Sequence, residues 1–425
     1  MRGPLVFRIV PPAAAITLSE LESQFAIRRR VDSAARSDMA DSYAALRKQY
    51  ADQSRRAQRQ FADPRIKQPG AAALFHFAVE SVKASRLVYA ALQEADQALR
   101  SGDTRVASPE VVERAIDWNR QQLNRLEGQL RILDLVDDVL PPLKKLFVQL
   151  EGSRHVSALG WQSIARHLLS QAGRAADGAS ILPLPGFSLK GYLAHAGYGS
   201  FGEAFSRGIE TVLTLAPVLA RRDSESNEID VLTIAALCQD SGLILLARQS
   251  VAASGADVGG GDAHASMSAG LVAGISEFAA QLPALVAEHH RRFIGFDRVP
   301  DLAVAVQKTG SRLLATTVRF LEIVDEMSSN AGEELPEAEV YPTAVRLVNE
   351  AGRGEWDPKI VAEFLHGIGF QLQSEAVAES GGERLFGRTA SGIRRRDPGD
   401  PTLPEPNFLS VQETPAERYV RSTRW

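Results

Sequence analysis

The residues best suited to chemistry lie in the second half of the chain: Gln239-Asp240, a lone His264, the pair His289-His290, and Asp325 in the run Arg319-Phe320-Leu321-Glu322-Ile323-Val324-Asp325. Histidine and aspartate converging from different helices can hold divalent transition metals. A pair of such ions acidifies a bridging water and neutralises the charged oxygens that make a phosphodiester resist attack. Taken singly, each group has a plainer reading. A His-His pair at a helix end usually faces solvent, Asp325 beside Val324 and Glu326 reads as a surface carboxylate, and Asp240-Ser241-Gly242 reads as a helix C-terminal turn.

In chain order the set resembles the HD-GYP family, metal-dependent phosphodiesterases that open cyclic di-GMP. The resemblance covers about 187–370. It equates Asp240 with the Asp of the His-Asp pair, where Gln239 stands in place of the histidine and Gly242 keeps the small residue two positions on. It equates His264 with the lone His, His289-His290 with the His-His pair, Asp325 with the late Asp, and Trp356-Asp357-Pro358 with the closing Phe-Asp-Pro element. What it implies is metal ligation by Asp240, His264, His289, His290 and Asp325, with Asp240 also catalytic. The family's opening histidine falls on Phe205 in an ungapped match; an insertion would make His195 its counterpart. His195 and Gln239 are thus the two outer candidates for the ligand set.

The departures are specific. Gln239 offers a neutral carbonyl oxygen, a poorer ligand than imidazole. Leu243 stands where the family has a phosphate-touching lysine, and Ile294–Pro300 keeps little of the Asp-Gly-x-Gly-Tyr-Pro loop. The resemblance therefore implies one divalent transition metal, iron or manganese, and impaired or absent hydrolysis of cyclic di-GMP. Action is then by binding a protein partner in signalling, or the nucleotide itself. The alternative is an active phosphohydrolase with an altered ligand set. A third reading is a non-catalytic oligomerising scaffold, with the leucines near 110–150 as the seam between copies.

Positioning such donors requires helices, and the sequence is helical in pattern almost throughout. Its 425 residues suggest two or three domains, and 44% hydrophobic with 24% charged residues describes a mostly globular chain. The fold class read from this is all-α: an HD-domain-like bundle preceded by an N-terminal helical region. Thr17 with Glu20 forms a capping-box pattern. Ser108-Pro109-Glu110 and Asp357-Pro358 open further helices, and Asp230 reads as a cap for the helix through Val231, Ile234 and Leu237. The boundaries are 1–69, a charged helical segment; 70–174, a helical bundle through Leu123, Leu126, Leu130, Leu133 and Leu135; 187–370, the HD-GYP-like domain; and 380–425, a disordered tail rich in Gly, Arg and Pro.

Other chemistries fit less well. Cys238 is the single cysteine, so neither a zinc ribbon nor an intrachain disulfide can form, which fits a reducing cytoplasm. No Gly-x-Ser-x-Gly elbow occurs. The glycines of 258–261 follow no strand and precede no Lys-Ser/Thr, so a phosphate cradle is weakly supported. A net charge of −4 argues against a nucleic-acid partner. No stretch is read as a membrane span. His76, His155, His167 and His366 lie outside the pattern and read as structural or surface residues.

Overall fold

The structure, a computed structural model, describes residues 7–9, 16–30, 36–68, 72–101, 105–153, 155–174, 189–222, 226–252, 262–293, 305–331 and 340–374. The Ile294–Pro300 loop, the 258–261 glycines, the 175–187 connector and the 380–425 tail lie outside these residues.

The described residues are mostly helical. In chain order the helices are α1 (Leu18–Phe25), α2 (Arg36–Phe61), α3 (Ala72–Ser101), α4 (Pro109–Gly152), α5 (Leu159–Arg174), α6 (Leu189–His195), α7 (Gly199–Leu219), α8 (Ser226–Cys238), α9 (Gly242–Ala252), α10 (Asp262–Val272), α11 (Leu282–Ala287), α12 (Ala305–Ala331), α13 (Val340–Gly352) and α14 (Pro358–Gly367). Two short antiparallel pairs, unexpected from the helical pattern, complete the fold. β1 (Phe7–Ile9) pairs with β4 (Leu372–Ser374), bringing the N-terminal segment beside the chain that leaves α14, and β2 (Arg29–Arg30) pairs with β3 (Arg105–Val106).

Local signals set several helix starts. Thr17 Oγ1 accepts from Glu20 N at 3.2 Å while Thr17 N donates to the Glu20 carboxylate at 2.7 Å, a reciprocal cap. Asp357 Oδ1 accepts from Lys359 N at 3.0 Å with Pro358 in the first turn. Asp230 departs from expectation. α8 begins at Ser226, so Asp230 lies inside the helix, 2% exposed, where Arg166 and Gln162 of α5 bind its carboxylate. A buried carboxylate needs such partners, and here they tie α5 to α8.

A small core joins α1, α2, the end of α3 and the start of α4 through Leu21, Phe25, Tyr43, Leu46, Val88, Val112 and Ile116. Beyond a buried polar knot, in which Asn119 Oδ1 accepts from Ser81 Oγ at 2.6 Å and Asn119 Nδ2 donates to Gln53 Oε1 at 3.1 Å, the larger core begins. It runs from Ile66 and Leu74 along α4 to Trp161, Phe205, Leu237, Leu314 and Phe364. Leu123, Leu126, Leu130, Leu133 and Leu135 are all buried within the chain, so these leucines serve an intramolecular bundle rather than a seam between copies. The window Ser226–Gln249 is, against the sequence reading, long and apolar enough to cross a membrane, with a mean hydropathy of 1.7. Its 78% burial in this core accounts for that apolarity.

Two glycines allow the closest helix approaches. A Cβ on Gly208 would lie 2.4 Å from Leu237 O, so α7 and α8 meet backbone to backbone only because that position has no side chain. At Gly242 a Cβ would lie 2.3 Å from His264 O and 2.8 Å from Ser268 N, both backbone atoms that cannot swing aside. Gly242→Ala is therefore expected to cost at least about 1–3 kcal/mol of stability, the usual range for overpacking. Denaturant unfolding measures it, and a change below about 0.5 kcal/mol, the scale of neutral surface substitutions, would mean that α9 and α10 can separate freely.

Candidate metal centre

α8 ends at Cys238, and the chain turns through Gln239, Asp240 and Ser241 before α9 starts at Gly242. Ser241 N donates to Cys238 O at 3.0 Å and Leu243 N to Asp240 O at 2.9 Å, which fixes the turn. Gly242 N donates to Ser268 Oγ of α10 at 2.7 Å. Ser268 lies one turn after His264, so the same contact that seats α9 on α10 brings His264 to Asp240. His289 and His290 sit in the turn that follows α11.

These four side chains form one group, with ligand-capable atoms all within 4.8 Å of one another. His264 Nε2 lies 3.1 Å from Asp240 Oδ1, 3.3 Å from His289 Nε2 and 3.1 Å from His290 Nε2, and His289 Nε2 lies 3.5 Å from Asp240 Oδ1. Metal–nitrogen bonds of about 2.0–2.1 Å would put adjacent ligand atoms about 2.8–3.4 Å apart, from octahedral to tetrahedral. The three separations at His264 Nε2 fall in that range, and the His289–Asp240 separation of 3.5 Å lies just beyond it.

The outer nitrogens support the same use. His289 Nδ1 lies 2.6 Å from Val286 O, an acceptor only, so Nδ1 carries the proton and Nε2 turns its lone pair inward. His290 Nδ1 lies 2.9 Å from Glu322 Oε1, which fixes its tautomer in the same way. Two imidazole lone pairs and a carboxylate oxygen thus converge around His264 Nε2. A buried group of acceptors needs a cation or a proton at its centre.

Asp240 is held well below the ordinary carboxylate range. Burial opposes ionisation, but with no metal bound the hydrogen bonds that His264 and His289 then turn toward it from Nε2, and their charge, outweigh it. His289 is fully buried and His264 and Asp240 nearly so, while the His290 side chain is 31% exposed, so solvent reaches the group from the His290 side.

Behind His290 stands a support that sequence reasoning missed. Arg319 bridges Glu322 at 3.0 Å to Glu350 at 2.9 and 3.0 Å, and Trp356 Nε1 donates to Glu350 Oε2 at 3.0 Å. Glu322 lies three residues before Asp325 on α12, so the two face the same side of the helix. That spacing was the available signal. Carboxylates that orient a ligating histidine commonly contribute about 10–100-fold to metal affinity. Glu322→Ala is expected to weaken Mn2+ binding by that factor. Unchanged affinity by calorimetry would mean that His290 needs no orienting partner.

Asp325, Gln239 and Phe205 are not members of this group. Asp325, on α12, pairs with Arg207 of α7 and has a side chain 62% exposed, outside the four-residue group. Gln239 is fully buried, with Nε2 3.2 Å from Thr211 Oγ1 and 3.5 Å from Asp240 Oδ2. Phe205 is core, packed against Phe147 and Phe201 with ring centroids 5.7 and 4.6 Å away. His195 is the last residue of α6, and its side chain lies outside the described residues. His155, His167 and His366 are exposed and His76 is half-buried.

Glu210, beside Arg207, is pushed up to about 7 by burial; Arg207 lowers it, but Asp325 adds to the rise. A carboxyl group raised in the folded state binds its proton more tightly there than in the unfolded chain. Its contribution to stability is therefore greatest below the unfolded value of 4.5 and falls as pH rises to about 7. Relative to the native chain, Glu210→Gln is expected to gain about 3 kcal/mol between pH 4 and pH 8. Parallel stability–pH curves for the two proteins would contradict this.

No family model, curated protein or solved structure matches this chain.

Proposed function

We propose that this chain is a divergent HD-GYP-like protein of bacterial signalling. In this reading its HD-domain-like bundle binds one divalent transition metal, iron or manganese, through Asp240, His264, His289 and His290. Hydrolysis of cyclic di-GMP is impaired or absent, and the protein acts by binding a protein partner or the nucleotide. The observation that carries this is the convergence of one carboxylate oxygen and three imidazole nitrogens at ligand spacing. The donors suit the group: neutral imidazole with carboxylate is a borderline set for first-row metals. When bound, the ion would supply Lewis-acid polarisation of a phosphoryl oxygen. The chain's own part is to keep Asp240 ionised, to aim His289 through Val286 and His290 through Glu322, and to exclude water from every side but that of His290.

The second reading, a working phosphohydrolase, draws support from that half-exposed side, where a substrate oxygen could approach. The scaffold reading has less to draw on, since Leu123, Leu126, Leu130, Leu133 and Leu135 are buried within the chain. Elemental analysis of protein purified with Fe2+ and Mn2+ tests the metal, and a cyclic di-GMP turnover assay separates the first two readings. A chain that takes up neither ion would end both of them.

A further inference from the structure

His289 and His290 are adjacent, yet they are aimed by different means. His289 Nδ1 meets a backbone carbonyl of its own segment, Val286 O, whereas His290 Nδ1 meets a side chain from another helix, Glu322 of α12. A glutamate side chain 32% exposed keeps one direction only when its other oxygen is also held. Arg319, one turn earlier on α12, holds it. Its Nη1 donates to Glu322 Oε2 at 3.0 Å, while Nε and Nη2 donate to the two oxygens of Glu350 of α13 at 3.0 and 2.9 Å. Glu350 is buried, and Trp356 Nε1 donates to its Oε2 at 3.0 Å.

A second path joins the histidines to the same place through the backbone. Three residues after His290, Phe293 N donates to Glu355 O at 2.9 Å, and Glu355 N donates to Glu350 O at 3.1 Å. Arg292 Nη1 lies 3.2 Å from Glu355 Oε2. Arg312 of α12 rests over the Phe293 ring, 4.7 Å from its centroid, and donates to Asp357 Oδ2 at 2.7 Å. Side-chain path and backbone path therefore close into one loop, in which Arg319 is the member shared by Glu322 and Glu350.

We propose that Arg319 is a positioning residue for His290: acting through Glu322, it fixes the direction in which that imidazole offers Nε2 to the metal. The proposal rests on the single-metal reading of the histidine group. Apolar side chains of the same volume often stabilise a fold as well as buried ion pairs do, so stability alone does not call for a fork of charges here. A planar guanidinium has donors in fixed directions and can hold two carboxylates at a set angle, whereas a lysine keeps the charge without the fork. Released from Arg319, Glu322 would gain rotamers, and His290 would lose its acceptor for part of the time.

Mn2+ titration of the full chain by calorimetry tests this as a double-mutant cycle, because a residue that acts only through Glu322 has no effect once Glu322 is gone. Arg319→Lys is expected to weaken Mn2+ binding at least about threefold, a part of the about 10–100-fold expected for Glu322→Ala. Added to Glu322→Ala, Arg319→Lys is expected to change the affinity by less than about twofold, within the error of additivity. If Arg319→Lys does not fold, Glu350→Gln, which keeps the volume and removes the anion that grips Arg319, decides by the same comparison. Mn2+ affinity unchanged or tightened in the folded variant would overturn the proposal and leave the single-metal reading standing. An equal loss with and without Glu322 would overturn it too, since Arg319 would then act on the fold rather than through Glu322. A native chain that binds no Mn2+ or Fe2+ would remove the single-metal reading, and this inference with it.

Discussion

Purified in the presence of Mn2+ or Fe2+, the protein is expected to retain close to one ion per chain, and His289→Ala to lose it. His289 is fully buried, its Nδ1 is committed to Val286 O, and its Nε2 lies among the three other donors. Among the described residues no fifth side chain belongs to this group to take over that lone pair. The loss should exceed the about 10–100-fold typical of a supporting partner, because a direct ligand is removed. With no metal bound, His289 Nε2 instead turns a hydrogen bond toward Asp240, a buried anion, so the metal-free variant should be less stable than the metal-free native chain. Calorimetric titration and elemental analysis read both effects. His289→Ala binding Mn2+ as tightly as the native chain would show that the four donors do not act together.

Turnover of cyclic di-GMP is expected below about 0.01 per second, against the 1 per second or more of ordinary enzymes. A single ion leaves part of the phosphate charge uncompensated in the transition state, and each such electrostatic contribution is commonly worth several kcal/mol. Leu243, which the HD-GYP resemblance sets against a lysine, is only partly buried and packs its hydrocarbon against the core, so it offers no charge. Chromatography of the linear product measures the rate. A rate of about 1 per second or faster that His290→Ala abolishes would establish the phosphohydrolase reading instead.

Much of this was legible in the linear order of residues. Helix starts at Thr17 and Asp357 depend on atoms two or three positions apart, and the buried face of α14, with Ile360, Val361, Phe364 and Leu365, follows from helical spacing alone. The ordered set Asp240, His264, His289, His290 and Asp325 could be singled out by its resemblance to the HD-GYP order; the fold brings the first four together and leaves Asp325 outside the group. What could not be read depends on contacts between distant segments. β1 and β4 are more than 360 residues apart and carry no local signal of pairing. Asp230 has the residue type of a cap, yet became a buried ion-pair partner once Arg166 was packed across from it. Asp325 and Glu322 share a face of α12, but only the approach of α7 and of the 289–290 turn gave the first to Arg207 and the second to His290. Sequence determined which donors exist and which helices carry them, since those preferences act within a turn or two of chain. Tertiary structure decided which cation each carboxylate meets, because that choice depends on distances between helices that no local preference encodes.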